Sequence, residues 1–104
     1  MIQITILTTD GITAVRIAEF LVEERLVINA KLIEKVQQYN KSETGVVLEN
    51  RFMLSAITKG LLFTAIEKRL KETFSNKEIE LYAVPIVNMN WEQSNKLVSS
   101  IEKV

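Results

Sequence analysis

The stretch LVEERL, from Leu21 to Leu26, sets three charged residues between apolar pairs and runs into the apolar segment VINAKLI without a glycine or proline. Upstream of it, apolar residues recur every three or four positions, which is the spacing of one buried helix face. That face comprises Ala14, Val15, Ala18, Leu21 and Val22, widened by Ile17 and Phe20. We therefore predict that a helix from Ile12 to Arg25 ends with its charges in solvent, that Leu26 turns back into the core, and that VINAKLI opens a strand.

The first ten residues predict a strand that leads into this helix. Ile2, Ile4 and Ile6 alternate with polar residues, which is the period-two pattern of a strand with one buried face. The sequence TTDG, residues 8–11, ends the strand. Asp10 is suited to cap the helix, because its short carboxylate can accept a hydrogen bond from a free N–H group of the first turn.

The segment from Ile28 to Thr58 predicts a long β-hairpin. Its first half alternates apolar and polar residues until Leu32 and Ile33 fall side by side, and this slip in phase indicates a β-bulge or a bend near Ile33 to Lys35. The cluster NKSETG, residues 40–45, predicts the turn. The partner strand is expected to comprise residues 46–48 and 51–58, with an interruption between them.

The second half of the chain predicts a helix from Leu61 to Thr73, a strand from Ile79 to Val87 and a final helix. Pro85 lacks the N–H group that a strand ladder needs, so this strand is expected either to lie at an edge of the sheet or to be bulged at the proline. Asn90, with Gln93 three positions later, resembles a capping box at the start of the final helix. The predicted packing stripe of that helix is Trp91, Ser94, Val98 and Ile101, with Trp91 as its anchor over the sheet or over a subunit edge.

This order of elements predicts an α+β fold. The order βαββαβ is the ferredoxin-like arrangement, in which two helices cover one face of an antiparallel sheet, and here a C-terminal helix follows it. The other face of the sheet is left without a cover, which the final helix or a neighbouring subunit would supply. The chain has no linker or internal repeat, so we expect residues 1–104 to form a single domain.

Composition argues against several classes of protein and site. The chain has no cysteine and no histidine, so it lacks thiol chemistry, the commonest metal ligand and the commonest general base near neutral pH. Its 13 basic and 13 acidic residues balance, which argues against a nucleic-acid or membrane partner. No apolar run approaches the length of a membrane span, and MIQITILTTD lacks the features of a signal peptide. We therefore predict a cytoplasmic protein without a cofactor.

Few residues stand out as candidates for binding, and each has a structural alternative. Tyr39 either packs on the hairpin or forms part of an interface or cleft. Lys77, Glu78 and Glu80 either belong to an ordinary charged loop or form the rim of a site for a small ligand or a cation. The sequence contains neither a glycine-rich phosphate loop nor a D-x-D-x-D-G calcium loop, and no metal ligands are identified. An RNA-recognition domain is excluded, because the first strand has no aromatic residue on which a base would stack.

Three segments of the chain resemble corresponding segments of one known family. They are TTDGITAVRIAEFLVEERL (residues 8–26), LLFTAIEKRL (61–70) and AVPIVNMNWEQSNKLVSSI (83–101). LVEERL followed directly by an apolar segment is the most specific of these features. The family is that of the CutA divalent-cation tolerance proteins, and the resemblance touches the beginning, middle and end of the chain.

The resemblance implies a ferredoxin-like subunit in a three-fold homotrimer, with long hairpins that reach onto neighbouring subunits. It also implies a non-enzymatic role linked to the tolerance of, or response to, divalent cations. The chain departs from the family at Phe74–Leu81, FSNKEIEL, where a family histidine and a Tyr-Glu pair have no counterpart. Of the ligand set suggested for copper in that family, at most Glu80 remains. We therefore expect copper to bind weakly, since carboxylates and carbonyls suit hard cations better.

Two other functions fit the same architecture. One is a small-ligand sensor similar to the PII signalling proteins, which bind nucleotides and effectors in the clefts between subunits. The candidate ligand-binding residues for such a sensor are Tyr39, Lys59, Lys77 and Glu80. The other is an enzyme in that cleft that uses Lys59, Lys77 and Glu80, which would require perturbed pKa values in a pocket.

Overall fold

The strands and helices follow one another in the order that the sequence predicts. The computed structural model describes residues 1–102, so the last two residues of the expected domain lie outside the described residues. The elements are β1 (Ile2–Thr8), α1 (Gly11–Glu23), β2 (Ala30–Ser42), β3 (Gly45–Thr58), a 3₁₀ turn (Gly60–Leu62), α2 (Phe63–Thr73), β4 (Ile79–Pro85) and α3 (Trp91–Ser100). This is the expected α+β fold, ferredoxin-like with a C-terminal helix.

The four strands form one antiparallel sheet in the order β2-β3-β1-β4. β4 lies at an edge, as Pro85 predicted, and the strand ends at that proline rather than at Val87. Pro85 pairs with Ile2 and is the last residue of the strand. The N–H group of the next residue, Ile86, donates to the Met1 carbonyl oxygen at 3.1 Å.

The hydrophobic core lies between one face of the sheet and the helices α1 and α2. The sheet contributes alternate residues of β1 and β3, and the helices contribute residues one turn apart. These buried side chains are Ile4, Ile6, Leu54 and Ala56 from the sheet and Ile17, Leu21, Ile66 and Leu70 from the helices. The alternation of Ile2, Ile4 and Ile6 therefore identified the core face of β1 correctly.

Asp10 caps α1, as predicted. Its carboxylate accepts a hydrogen bond from the Thr13 backbone N–H at 2.7 Å and another from the Thr13 hydroxyl at 3.0 Å. These bonds favour the charged carboxylate, and with a smaller contribution from the charge of Lys77 they hold the pKa of Asp10 below its ordinary value of 3.8.

LVEERL closes α1 with a Schellman motif. The N–H of Leu26 donates to the Leu21 carbonyl at 3.0 Å, and the N–H of Arg25 donates to the Val22 carbonyl at 3.1 Å. Arg25 takes the left-handed conformation that this motif requires, with φ at 57°. The charges face solvent and Leu26 is buried, both as predicted, while the helix ends at Glu23, two residues earlier than expected.

The segment VINAKLI does not open the next strand, which corrects the sequence prediction. Val27 to Asn29 form a connection, and β2 begins at Ala30. Leu26 and Val27 are both buried in the core. Adjacent residues of a strand point to opposite faces, so two adjacent core residues require an irregular backbone here.

The turn after α1 also binds the end of β3 and the C-terminal segment. The buried Thr58 hydroxyl donates to the Leu26 carbonyl at 2.6 Å. The N–H of Glu102 donates to the Arg25 carbonyl at 2.9 Å, and the Arg25 side chain donates to the Ser100 carbonyl at 3.3 Å. One turn therefore holds together three parts of the chain that are distant in sequence.

The hairpin contains the predicted bulge. Glu34 and Lys35 together face one residue of β3, Phe52, and Lys35 has a φ of 60°. Two details of the prediction are wrong. The strands continue further than expected, so that only residues 43–44 form the turn. β3 also runs without interruption from Gly45 to Thr58. It needs no interruption, because the change in the apolar pattern is accommodated by the extra residue in β2.

The predicted packing stripe of α3 is confirmed for Ile101 and wrong for Trp91 and Val98. Leu97 and Ile101 are each 1% exposed, whereas Trp91 is 81% exposed and Val98 is 52% exposed. The Asn90 cap is as expected, since its side chain accepts a hydrogen bond from the Gln93 N–H at 2.8 Å. At about 100° per residue, the direction of Leu97 and Ile101 is about a quarter turn from that of Trp91 and Val98. Trp91 therefore does not anchor α3 on the sheet, and its role at a subunit edge stays a prediction.

None of the helices within residues 1–102 combines the length and the apolar character needed to cross a membrane.

Thr58→Val should lower the free energy of unfolding by about 1–3 kcal/mol, because it removes the buried hydroxyl that bonds the Leu26 carbonyl while keeping the shape of the side chain. Urea unfolding followed by circular dichroism measures the change. Thr58→Ser keeps the donor and should lose less. A valine variant as stable as the parent would show that this bond does not hold the turn.

Asp10→Asn should flatten the dependence of stability on acid pH. Because the folded pKa of Asp10 is lowered, its charged form stabilises the fold above the ordinary pKa of 3.8, and this contribution is lost as pH falls through the folded pKa. Asparagine caps the helix without titrating. Chemical unfolding measured across this pH range should therefore show the parent losing more stability than the variant, and parallel curves would contradict the assignment.

Candidate functional site

One chain does not bring the four predicted ligand-binding residues together. Lys77 and Glu80 lie at the start of β4, and Lys59 lies at the opposite end of the sheet, just after β3. The Lys59 ammonium donates to the Glu102 carbonyl at 2.8 Å. Tyr39 is 66% exposed and lies on the part of the hairpin beyond the bulge, residues 36–51, which we call the hairpin arm. A site composed of all four residues therefore requires a second chain and stays a prediction.

Lys77 borders two clefts beside α2, of about 370 and 500 Å³. Phe74 lines both clefts, and its ring meets the ring of Phe20 edge to face with centroids 6.0 Å apart. Volumes of this size are at the low end for small-molecule sites. The position of Lys77 is compatible with the rim of a ligand site.

The face of the sheet opposite α1 and α2 carries apolar side chains that this chain leaves partly uncovered. Residues that pair across neighbouring strands place their side chains next to one another on this face. Ile33 on β2, Met53 on β3 and Leu7 on β1 are one such set. Tyr82 and Val84 of β4 point to the same side and are exposed. We call this surface the open face.

Arg51 is the centre of a polar network at the root of the hairpin arm. Only 10% of its side chain is exposed. Its Nε donates to the Gln38 side-chain oxygen at 3.0 Å, and its Nη2 donates to a Glu49 carboxylate oxygen at 2.6 Å. Bonds between a guanidinium and a carboxylate are charge-assisted and are stronger than neutral hydrogen bonds.

The network connects the arm to β4. The Gln38 amide nitrogen donates to a Glu80 carboxylate oxygen at 3.0 Å, and Arg51 Nη2 lies 3.9 Å from a Glu78 carboxylate oxygen. These groups can meet because β1 leaves the sheet after Thr8, whose partner on β3 is Phe52. Beyond that point, no strand within residues 1–102 separates Arg51 from the base of β4.

This arrangement is a clamp that holds the hairpin arm against β4. The groups that it brings together are amides, carboxylates and one guanidinium, and they bond to one another. In the described part of the chain, no group of three or more Asp or Glu side chains is close enough to hold a metal ion. Glu80, which was expected on a cation or ligand rim, accepts a hydrogen bond from Gln38, and its place on such a rim stays a prediction.

Sequence reasoning missed Arg51, Gln38 and Glu49. A signal was available for two of them, since Glu49 and Arg51 are two residues apart and therefore lie on the same face of a strand. The contact with Glu80 had no local signal, because Gln38 and Glu80 are 42 positions apart in sequence.

Arg51→Met should loosen the hairpin arm. Hydrogen bonds to charged groups contribute about 1.5–3 kcal/mol, so amide hydrogen exchange in residues 38–50 should accelerate about tenfold or more. Arg69→Met is the control, because the half-exposed Arg69 lies 3.9 and 3.7 Å from its carboxylate partners and such ion pairs contribute little. Unchanged exchange in the arm of the Arg51 variant would contradict the clamp.

Comparisons with known proteins place the fold. No protein-family model matches the chain, and no curated protein matches it. Among solved structures, it is similar to the divalent cation tolerance protein Cut A1 of Thermus thermophilus, with 24% identity and a TM-score of 0.85 over 98% of this chain and 100% of that one. It is also similar to CutA1 of Oryza sativa, with 20% identity and a TM-score of 0.87 over 99% of this chain and 94% of that one.

A third similar structure is the periplasmic divalent cation tolerance protein CutA of Archaeoglobus fulgidus, with 19% identity and a TM-score of 0.83 over 98% of this chain and 100% of that one. Because one similar protein is periplasmic, the cytoplasmic localisation expected from sequence stays a prediction. The resemblance seen in the sequence is confirmed at the level of the fold: over nearly its whole length, the chain has the fold of the CutA proteins.

Proposed function

We propose that this chain is a non-enzymatic, CutA-like protein that acts as a homotrimer in the tolerance of, or response to, divalent cations. The observation that carries the proposal is the likeness of fold over the whole chain to proteins named for divalent cation tolerance. A fold alone does not determine function, so the proposal also depends on the site and on the surfaces of the subunit.

The chemistry of the clamp supports a role without catalysis. Covalent and acid–base catalysis need a nucleophile or a base positioned beside the substrate. Here the convergent groups Arg51, Gln38 and Glu49 are hydrogen-bonded to one another, and the arrangement holds the hairpin arm against β4.

Two exposed apolar surfaces support assembly with further copies of the chain. The first is the part of the open face that lies outside the residues beside α3 and exposes Ile33, Tyr82 and Val84. The second is the hairpin arm, where Tyr39 pairs with Leu48, and both side chains are exposed together with Val46. An isolated two-stranded ribbon is at best marginally stable in water. A neighbouring subunit would cover both surfaces at once.

Any direct contact with cations would involve carboxylates and carbonyls, because the chain has neither cysteine nor histidine. Such ligands suit magnesium, calcium or manganese better than copper. We therefore propose that this protein binds copper weakly, and that its part in cation tolerance does not depend on tight copper binding.

Growth under cation stress tests the proposal. Deleting the gene from the organism that encodes this chain should increase sensitivity to at least one divalent cation, and the intact gene should restore tolerance. Growth that is unchanged with copper, zinc, manganese, cobalt and nickel would contradict a role in cation tolerance.

A small-ligand sensor that uses the clefts between subunits is the second candidate. The position of Lys77 beside two clefts favours it. A ligand present at 100 times its dissociation constant stabilises a protein by about 2.7 kcal/mol. Thermal unfolding with nucleotides therefore tests this candidate, which predicts a stabilisation that Lys77→Gln abolishes.

The double variant Val46→Ser/Leu48→Ala should weaken the trimer more than it disturbs the subunit fold. Both side chains are exposed on the arm, so the isolated chain loses little, whereas burial in an interface would make truncation of the leucine cost about 2–5 kcal/mol. Sedimentation at several protein concentrations measures assembly, and circular dichroism reports the fold.

The matched control is Leu61→Ala/Val87→Ser, which makes the same kinds of change at exposed positions beyond the opposite end of the sheet. The control should assemble like the parent. An undiminished trimer in the arm variant would place the interface elsewhere, and a monomeric parent would contradict the trimer itself.

A further inference from the structure

A cleft of about 350 Å³ lies between α3 and the part of the open face formed by β1, β3 and the start of β2. Gln3 and Ser55 contribute from the sheet, and Gln93 contributes from the first turn of α3. None of the residues selected from sequence as binding candidates borders it. The cleft is formed within one chain, so its existence does not depend on the trimer.

Two cationic side chains border the cleft from different elements. Lys31 is on β2 and Lys96 is on α3, and the cleft contains one opposing charge, Glu92. Among the ion pairs within residues 1–102, neither lysine has a carboxylate partner within 4.0 Å. The cleft therefore carries a net positive charge on groups that remain free to bind an anion. Concave sites lined by one sign of charge raise the local concentration of the opposite ion.

The sheet supplies oriented hydrogen-bonding groups beside these charges. The Gln3 amide nitrogen donates to the Ser55 hydroxyl oxygen at 3.0 Å. Because that oxygen accepts the bond, the hydroxyl keeps its own proton to donate into the cleft. The amides of Asn29 and Gln93 add further donors and acceptors. The buried Leu97 gives the same cleft an apolar wall.

We propose that this cleft binds a small organic anion, a carboxylate or a phosphate monoester, whose charge lies between Lys31 and Lys96 and whose polar groups meet Gln3, Ser55 and Gln93. Small-molecule sites combine apolar walls with a few convergent polar groups, and their volumes start near about 300 Å³. The cleft has these properties. The inference goes beyond the proposed role in cation tolerance, because it concerns a different ligand and different residues.

The test is a titration of the intact protein with inorganic phosphate, citrate and AMP, which separates phosphate from carboxylate recognition. Nuclear magnetic resonance of the side-chain amides of Gln3, Asn29 and Gln93 reports occupancy directly. The fluorescence of Trp91, the only tryptophan, gives a second signal from the residue next to Glu92. At least one probe should shift the three amides together with saturation at millimolar concentration or below.

Charge variants decide whether the site is specific. Lys96→Gln should weaken binding about tenfold, as expected for one charge-assisted contact, and Glu92→Gln should strengthen binding because it removes the opposing charge. Lys68→Gln, an exposed position on α2 outside the cleft, is the matched control and should bind like the parent. The proposal is overturned if no probe shifts the amides, if the control weakens binding as much as Lys96→Gln, or if Glu92→Gln has no effect. Each of these results would leave the proposed role in cation tolerance intact.

Discussion

One extra residue in β2 determines the geometry of the hairpin arm. Side chains alternate between the two faces of a strand, so the bulge at Glu34 and Lys35 reverses which positions face which side. Because of it, Gln38 faces the same side as Arg51 and reaches Glu80, and Tyr39 faces the side of the helices. In a strand without the bulge, Gln38 would face the side of the helices and Tyr39 would face the side of Arg51. The link between the arm and β4 would then be lost. Lys35 adopts a left-handed conformation, which costs about 1–2 kcal/mol for a residue other than glycine, and the clamp offsets that cost.

The layered architecture explains why the subunit exposes so much apolar surface. Two helices cover one face of the sheet, while α3 packs through Leu97 and Ile101 and leaves Tyr82 and Val84 exposed on the open face. The arm extends beyond the end of β1 and so beyond the core. Arg51 connects the arm to β4 and restricts the motion of the arm. Binding of the arm by a neighbouring subunit would therefore cost less conformational entropy. Rigidity of the arm and exposure of its apolar residues are therefore consistent with the same role in assembly.

The fold of this protein does not by itself determine the chemistry of its binding sites. The backbone follows that of cation tolerance proteins, yet the chain lacks the nitrogen and sulfur ligands that transition metals prefer. Its polar chemistry consists of carboxylates, amides, a clamped guanidinium and the lysines of the α3 cleft. Groups of these kinds suit hard cations and anions better than transition metals.

The sequence by itself determined the features whose causes are local. Period-two and helical spacing predicted the order of elements, the Asp10 side chain predicted a cap, the missing N–H of Pro85 predicted an edge strand, and the phase slip at Ile33 predicted the bulge. Each depends on residues within a few positions of one another. The tertiary structure alone decided that Leu97 rather than Val98 faces the core, and that Arg51 joins the arm to β4. The rotation of a helix and the partner of a charged side chain depend on surfaces that only the folded chain brings together, so no local pattern specifies them.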